Sequence, residues 1–560
     1  MAGQPGHHQG SETSTNPPLI RPRLPITWLP MRPLPTPPHP PAAPDAGLDA
    51  QRCYQAMADK DAAWDGLFFT GVTSTGIYCR PVCRVKLPRQ ANCHFFETAA
   101  QAEAHGFRPC LRCRPELAPA RRFWSITDAQ AVLAESAAQQ LQSAIQQGTK
   151  PPSMAALATQ LGVSDRHLRR LFLRHWQVSP LQYLQTQRLL HAKQWLQDSP
   201  LSVAHVARAS GFGSARRLYA AFAQHYQLSP GQLRTASAPQ RKALQPSTTL
   251  VLPYRPPCQI ATLWQFLQDR SLSGMESWEG QGPHAVLRRT LRWPHGSCAI
   301  TGWLEVRWDP TQAAVHLRVS ASLDPVLPQV VGQVRDWLDL DAEPARIAQV
   351  IGHDFPQALG QRLPGCLDGF ELAVRAILGQ QISVKAARTL GQRLVNTLGE
   401  PCITPWPELN RTFPSPATLA REENAAHMGS LGLVRQRQRA IQALAQAVES
   451  GSLDLSRRAK LEPTLQALMA LPGIGPWTAH YIAMRALRWA DAWPVQDVAL
   501  QTALGVRQHP RPTQALEALG QAWRPCRSYA LIAAWQRLAP QAERSDHLEH
   551  HNQKHNAPAP

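Results

Sequence analysis

Acidic residues are scarce in this 560-residue chain, where 39 Asp and Glu stand against 58 Lys and Arg for a formal net charge of +19. A surplus of that size points to a polyanionic partner, nucleic acid first, because neutralising phosphates drives its binding. Long apolar runs are missing as well. No stretch of about 18 apolar residues occurs, which excludes a membrane-spanning helix, and the first residues lack the apolar segment of a secretory signal. The expectation is a soluble cytoplasmic protein with no membrane partner. Nor is there a disulfide framework: the eleven cysteines are odd in number, and Cys53, Cys258, Cys298, Cys366, Cys402 and Cys526 are scattered singly.

What is present divides the chain into several units, as its length requires at about 100–200 residues per domain. Residues 1–47 hold 13 of the 51 prolines and read as a disordered leader. Residues 48–118 carry Cys53, a cluster of five cysteines from Cys79 to Cys113 and two short candidate strands, LFFTGV and CHFFET, too little apolar material for a core without a staple. Residues 119–235 read as helical and contain a repeat offset by 50, in which Ser164, Leu168, Phe172, Ser179 and Pro180 recur as Ser214, Leu218, Phe222, Ser229 and Pro230. A linker is expected over 236–250. The segments AVLRRTLRW, CAITGWLEVRW and AAVHLRVSASL then predict a small antiparallel sheet within 251–350, and helical spacing returns over 351–544 before a solvated tail, 545–560.

In GIYCRPVCR and RPCLRC, Cys79 and Cys83 face Cys110 and Cys113 as two close pairs, the ligand set of a tetrahedral Zn2+ site. Cys93 has no paired neighbour and reads as core packing. Four thiolates on zinc carry a formal double negative charge, so their sulfurs stay nucleophilic; spacing alone leaves open whether such a site reacts or only staples the fold. TSTGIYCRPVCR followed by GFRPCLRC resembles the N-terminal domain of the Ada family of adaptive-response methyl acceptors. That resemblance implies that Cys79 takes a methyl group irreversibly from a methylphosphotriester in DNA while all four cysteines hold zinc. Converting a thiolate to a thioether would remove one negative charge and weaken repulsion from DNA.

Each copy of the repeat, LATQLGVSDRHLRRLF and VARASGFGSARRLYAAF, places a glycine (Gly162, Gly211) between two short helices and a serine (Ser164, Ser214) where it caps the second. That is the pattern of a helix-turn-helix. The pair resembles the AraC/XylS family of transcription regulators, which implies two units in successive major grooves of double-stranded DNA. Arg166, Arg169, Arg216 and Arg217 are the candidates for base or phosphate contact, and RNA polymerase is an expected partner.

In LPGIGPWTAHYIAMR, Gly473 and Gly475 let backbone amides approach a phosphate, as in a helix-hairpin-helix. Asp497, in the apolar stretch WPVQDVALQ, is either a helix cap or a catalytic acid. Trp477, Tyr481 and Trp535 are either core or the walls of a pocket for a flipped cationic base. With LPGCLDGFELAVRAILGQQISV and WRPCRSYALIAAW, these segments resemble the 3-methyladenine DNA glycosylase II, or AlkA, type. The resemblance implies a catalytic role for Asp497 and a base pocket of Trp477, Tyr481 and Trp535. It also puts Gln381 where the family inserts an apolar wedge and Gln496 beside the acid in place of a second carboxylate. No lysine stands near Trp477, which implies a monofunctional enzyme. Pro-Cys-Arg at 525–527 is not the Pro-Cys-His-Arg of alkylguanine methyltransferases, so Cys526 is expected to pack. The resulting expectation is a multidomain chain: a small α+β zinc domain, an all-α tandem helix-turn-helix, an α+β N-terminal glycosylase subdomain and an all-α helix-hairpin-helix core. It would serve alkylation repair and its regulation at the bacterial nucleoid. The alternative is a regulator whose glycosylase-like half only binds DNA.

Overall fold

In the zinc-binding unit, the register of two short strands decides where the cysteines meet. Strands β1 (Phe69–Val72), β2 (Ile77–Cys79), β3 (Cys93–Phe96) and β4 (Arg108–Pro109) form a sheet in the order β3-β1-β2-β4. Strand β2 runs parallel to β4 with Tyr78 opposite Pro109, so the next residues, Cys79 and Cys110, emerge side by side. The apolar core here is small, as its composition predicts: Phe69, Tyr78, Phe96, Ala99 and Ala102 are joined by Leu190 from a later helix. Cys93 departs from the expectation of core packing. It sits on the edge strand β3, half-buried, its thiol donating to the Arg89 carbonyl at 3.4 Å.

These features come from a computed structural model that describes residues 48–120, 129–146, 151–199, 201–236, 247–295 and 298–538. The expected leader and tail lie outside the described residues.

The repeat forms two helix pairs, Met154–Gln160 with Asp165–Trp176 and Val203–Ala209 with Ala215–Tyr226, joined by the long connecting helix Pro180–Asp198. Ser164 and Ser214 cap the second helix of each pair, accepting from the amides of His167 (3.2 Å) and Arg217 (3.3 Å). Gly162 and Gly211 take the turns at φ 69° and 76°, the left-handed region that glycine enters without steric cost.

The second sheet comprises β5 (Ser247–Pro253), β6 (Glu276–Glu279), β7 (Val286–His295), β8 (Cys298–Asp309) and β9 (Ala314–Ser320), antiparallel throughout in the order β5-β9-β8-β7-β6. One boundary moves relative to the sequence reading. The expected linker, 236–250, ends early because β5 begins at Ser247; its Leu250 and Leu252 are buried while Thr249 and Val251 face outward, a strand alternation that pairs with β9.

These units are not beads on a string. One core runs from Leu189, Val206 and Phe222 of the helical repeat through Leu250, Trp264 and Val306 of the sheet domain to Trp337. The zinc unit joins through Arg255, which is 1 % exposed. Its guanidinium donates to the carbonyls of Asp65 (2.8 Å), Pro119 (2.7 Å) and Asp341 (3.2 Å). Gly66 permits this approach: a Cβ there would stand 2.2 Å from the Pro119 oxygen.

The C-terminal helices pack into two cores. One is built around Val374, Ile377, Leu444 and Ile482, the other around Phe355, Leu500, Leu516 and Tyr529. Helix Pro476–Arg485 lies between them, giving Ile482 to the first and Met484 to the second. Its Tyr481 packs against both, at the seam.

Candidate functional site

Asp497 is both a helix cap and the centre of an aromatic cluster. It precedes helix Val498–Ala503, and its Oδ1 accepts the Leu500 amide at 2.6 Å. Its Oδ2 accepts the Trp477 indole N–H at 2.6 Å, and the Trp535 indole lies 3.3 Å from Oδ1. The residue is 5 % exposed. Trp477 and Tyr481, one helical turn apart, stack nearly parallel at 6° with ring centroids 5.4 Å apart, while Tyr481 and Trp535 meet at 41° and 6.4 Å. Separated in sequence, the acid and three aromatics therefore converge in space.

The hairpin that launches this helix has Gly473 at φ 77°, where a Cβ would come within 3.2 Å of Ala440. At Gly475 a Cβ would meet nothing within 4 Å, so this face of the hairpin is open. Gln381, exposed and left-handed at φ 57°, lies beside it. The neighbouring Gln380 amide donates to the Gly473 carbonyl (2.9 Å) and to Thr478 Oγ1 (3.0 Å), tying the loop of Gln381 to the hairpin. Gln496 is exposed.

Residues that sequence reasoning missed complete the cluster. The Arg485 guanidinium donates to the Tyr481 hydroxyl (2.7 Å) and to the carbonyls of Pro364 (3.1 Å) and Gly365 (2.9 Å). Phe266, from the sheet domain, lies beneath Arg270 at 3.8 Å and Arg485 at 5.0 Å. Burial pushes the Tyr481 phenol up, but Arg485 and Arg270 outweigh it and hold it below its usual value. Spacing gave no signal for Phe266 or Arg270, because the contact crosses a domain boundary.

The sulfurs of Cys79, Cys83, Cys110 and Cys113 all lie within 4.8 Å of one another. Zinc–sulfur bonds of about 2.3 Å set tetrahedral edges of about 3.8 Å, so the four close on Zn2+ with little adjustment. Backbone amides support three of them: Arg80 N–H to Cys113 (3.3 Å), Cys113 N–H to Cys110 (3.5 Å), and the Val85 amide to Cys83. Among the described residues no amide is directed at Cys79. The Arg80 side chain pairs with buried Asp65 and donates to the Cys113 carbonyl at 3.0 Å, placing a cation beside the thiolates.

On the helical repeat, Arg166, Arg169, Arg216 and Arg217 are exposed on the second helix of each pair. Arg169 reaches back one turn to Asp165 at 2.9 Å.

Comparison with known proteins follows the same divisions. Residues 52–116 match the metal binding domain of Ada, and residues 157–236 match a helix-turn-helix domain. Residues 249–368 match the AlkA N-terminal domain, and residues 374–526 match the HhH-GPD superfamily of base excision DNA repair proteins. A probable bifunctional transcriptional activator/DNA repair enzyme AlkA from Mycobacterium tuberculosis is 34% identical over 501 residues, covering 88% of this chain and 97% of that one. The chain belongs to that family. Its second half is also similar to the DNA-3-methyladenine glycosylase 2 of Escherichia coli, 31% identical over 286 residues, which are 51% of this chain and 95% of that protein. The bifunctional activator/repair enzyme Ada of Escherichia coli is 39% identical over 126 residues, 22% of this chain and 32% of that protein. As a member of this activator/repair family the chain is a zinc protein that joins a DNA-binding helix-turn-helix domain to a DNA glycosylase. No helix among the described residues is long and apolar enough to cross a membrane.

Proposed function

We propose that the chain excises alkylated bases such as 3-methyladenine through Asp497, and that Cys79 accepts methyl groups from DNA methylphosphotriesters to switch on transcription. The convergence of one buried carboxylate with Trp477, Tyr481 and Trp535 carries the first half of this reading. A flipped, cationic purine stacks among electron-rich rings and is already a good leaving group. As the glycosidic C–N bond breaks, its electron pair passes to the purine nitrogen and cancels the ring's charge. Asp497 stabilises the cation developing on the deoxyribose, and water adds there with loss of a proton. Trp477 fixes the orientation of the carboxylate. With no lysine near Trp477 to form a covalent adduct, the enzyme is monofunctional and leaves an abasic site. Gly473 and Gly475 face the phosphate backbone, and Gln381 fills the gap left by the flipped nucleotide.

At the other site Cys79, Cys83, Cys110 and Cys113 would hold zinc, which would keep their thiols deprotonated and close together. Cys79 Sγ attacks the methyl carbon of a phosphotriester; the S–C bond forms, the C–O bond breaks, and its electron pair restores a phosphodiester anion. Backbone amides draw on the sulfurs of Cys113, Cys110 and Cys83, and among the described residues none is directed at Cys79, which favours attack from that sulfur. The loss of one negative charge then favours DNA, which Arg166, Arg169, Arg216 and Arg217 engage, with RNA polymerase as the downstream partner at the nucleoid.

The test is release of free bases from dimethyl-sulfate-treated duplex DNA. Methylated purines released by the intact protein and not by Asp497→Asn support the glycosylase. Equal DNA binding with no release from either protein leaves a regulator only.

A further inference from the structure

Glu103 belongs to the zinc unit, yet it binds three different elements at once. Its Oε1 accepts the hydroxyls of Tyr78 (3.1 Å) and Tyr226 (3.2 Å), and its Oε2 accepts that of Thr186 (2.7 Å). All three partners are buried. Tyr78 precedes Cys79 on β2, Thr186 lies within the connecting helix, and Tyr226 is the last residue of the second recognition helix, Ala215–Tyr226. No lysine or arginine among the described residues pairs with Glu103; hydroxyls alone balance it. Such a carboxylate tolerates movement of its donors poorly, because each hydrogen bond lost leaves a desolvated oxygen unsatisfied.

The surrounding joint is built the same way. Directly after Cys113, Arg114 makes two bonds to Asp198 at the end of the connecting helix (2.6 and 2.7 Å). Lys193, with no exposed surface, pairs with Glu116 at 2.6 Å. The connecting helix, which sets the spacing of the two DNA-reading helices, is therefore clamped to the zinc unit at both ends of the ligand set.

We propose that Glu103 is a positioning residue that couples the chemical state of Cys79 to the second recognition helix. This rests on Cys79 being the methyl acceptor. A change at Cys79 displaces Tyr78, and the carboxylate transmits that displacement to Tyr226.

Amide hydrogen exchange across residues 215–226 tests it, on the zinc-loaded full chain before and after reaction with a methylphosphotriester-containing duplex, with the DNA removed. In the unmodified sequence, under alkaline conditions that ionise the carboxylate, methylation should change exchange there by about tenfold, the worth of one hydrogen bond to a charged group. Glu103→Gln and Tyr226→Phe should take up methyl groups to the same stoichiometry while the exchange change is lost. Methyl uptake with no change in the unmodified sequence, or the same change in both variants, overturns the coupling alone. No methyl on Cys79 overturns the acceptor reading and the coupling with it.

Discussion

The Trp477 indole nitrogen lies 2.6 Å from Asp497 Oδ2, so an aromatic ring and the buried carboxylate form a single hydrogen-bonded unit. Stacking and catalysis can be separated by substitution. Trp477→Phe keeps a ring against Tyr481 but removes the donor, and a hydrogen bond to a charged group is worth about 1.5–3 kcal/mol. Single-turnover excision of 3-methyladenine should slow by about 10–100-fold.

Lys193→Met leaves buried Glu116 with only Arg114 at 3.0 Å as a charged partner. Breaking a buried pair from one side costs about 3 kcal/mol or more, whereas replacing both partners is close to neutral. Urea unfolding followed by tryptophan fluorescence should show the loss in Lys193→Met and its recovery in Lys193→Met/Glu116→Leu.

Burial pushes the Glu103 carboxyl up from 4.5 to about 7, against the pull of hydroxyls from Thr186, Tyr78 and Tyr226. Between those two values the folded chain holds a proton that the unfolded chain releases. Stability from this group is therefore fully present below the lower value and lost as pH rises through the upper one. Glu103→Gln should remove that slope: in urea unfolding its gain in free energy over the unmodified chain grows across this window and levels off above it, reaching at most about 3 kcal/mol.

Zinc binding to four thiolates is folding free energy for a unit with so little core. Chelation should abolish native exchange protection over β1 to β4. Base release should persist, because the C-terminal helices hold two cores of their own.

The sequence made the local devices legible because each is short-range. Ser164 and Ser214 cap as their spacing requires, and the cysteine pairs come together as their ligand pattern implies. The convergence of Trp477, Tyr481 and Trp535 on Asp497 was reachable only through resemblance, since Trp535 lies 38 residues from the acid it approaches. Contacts across domain boundaries gave no periodic signal at all. Phe266 against Arg485, Arg270 beside Tyr481, and Glu103 bonded to Tyr226 involve residue types that in their own segments read as ordinary solvated or packing positions. The start of β5 was obscured by a serine- and threonine-rich opening that resembles a linker until its pairing with β9 is seen.

The three carbonyls that share Arg255 belong to Asp65, Pro119 and Asp341, so neither half of the chain owns this contact. Cut between residues 236 and 247, the N-terminal piece would carry two orphaned oxygens and the C-terminal piece a guanidinium stripped of two acceptors. Each half thus completes the other's polar contacts at this seam. A half transplanted without Arg255 or without its acceptors would lack the matching seam.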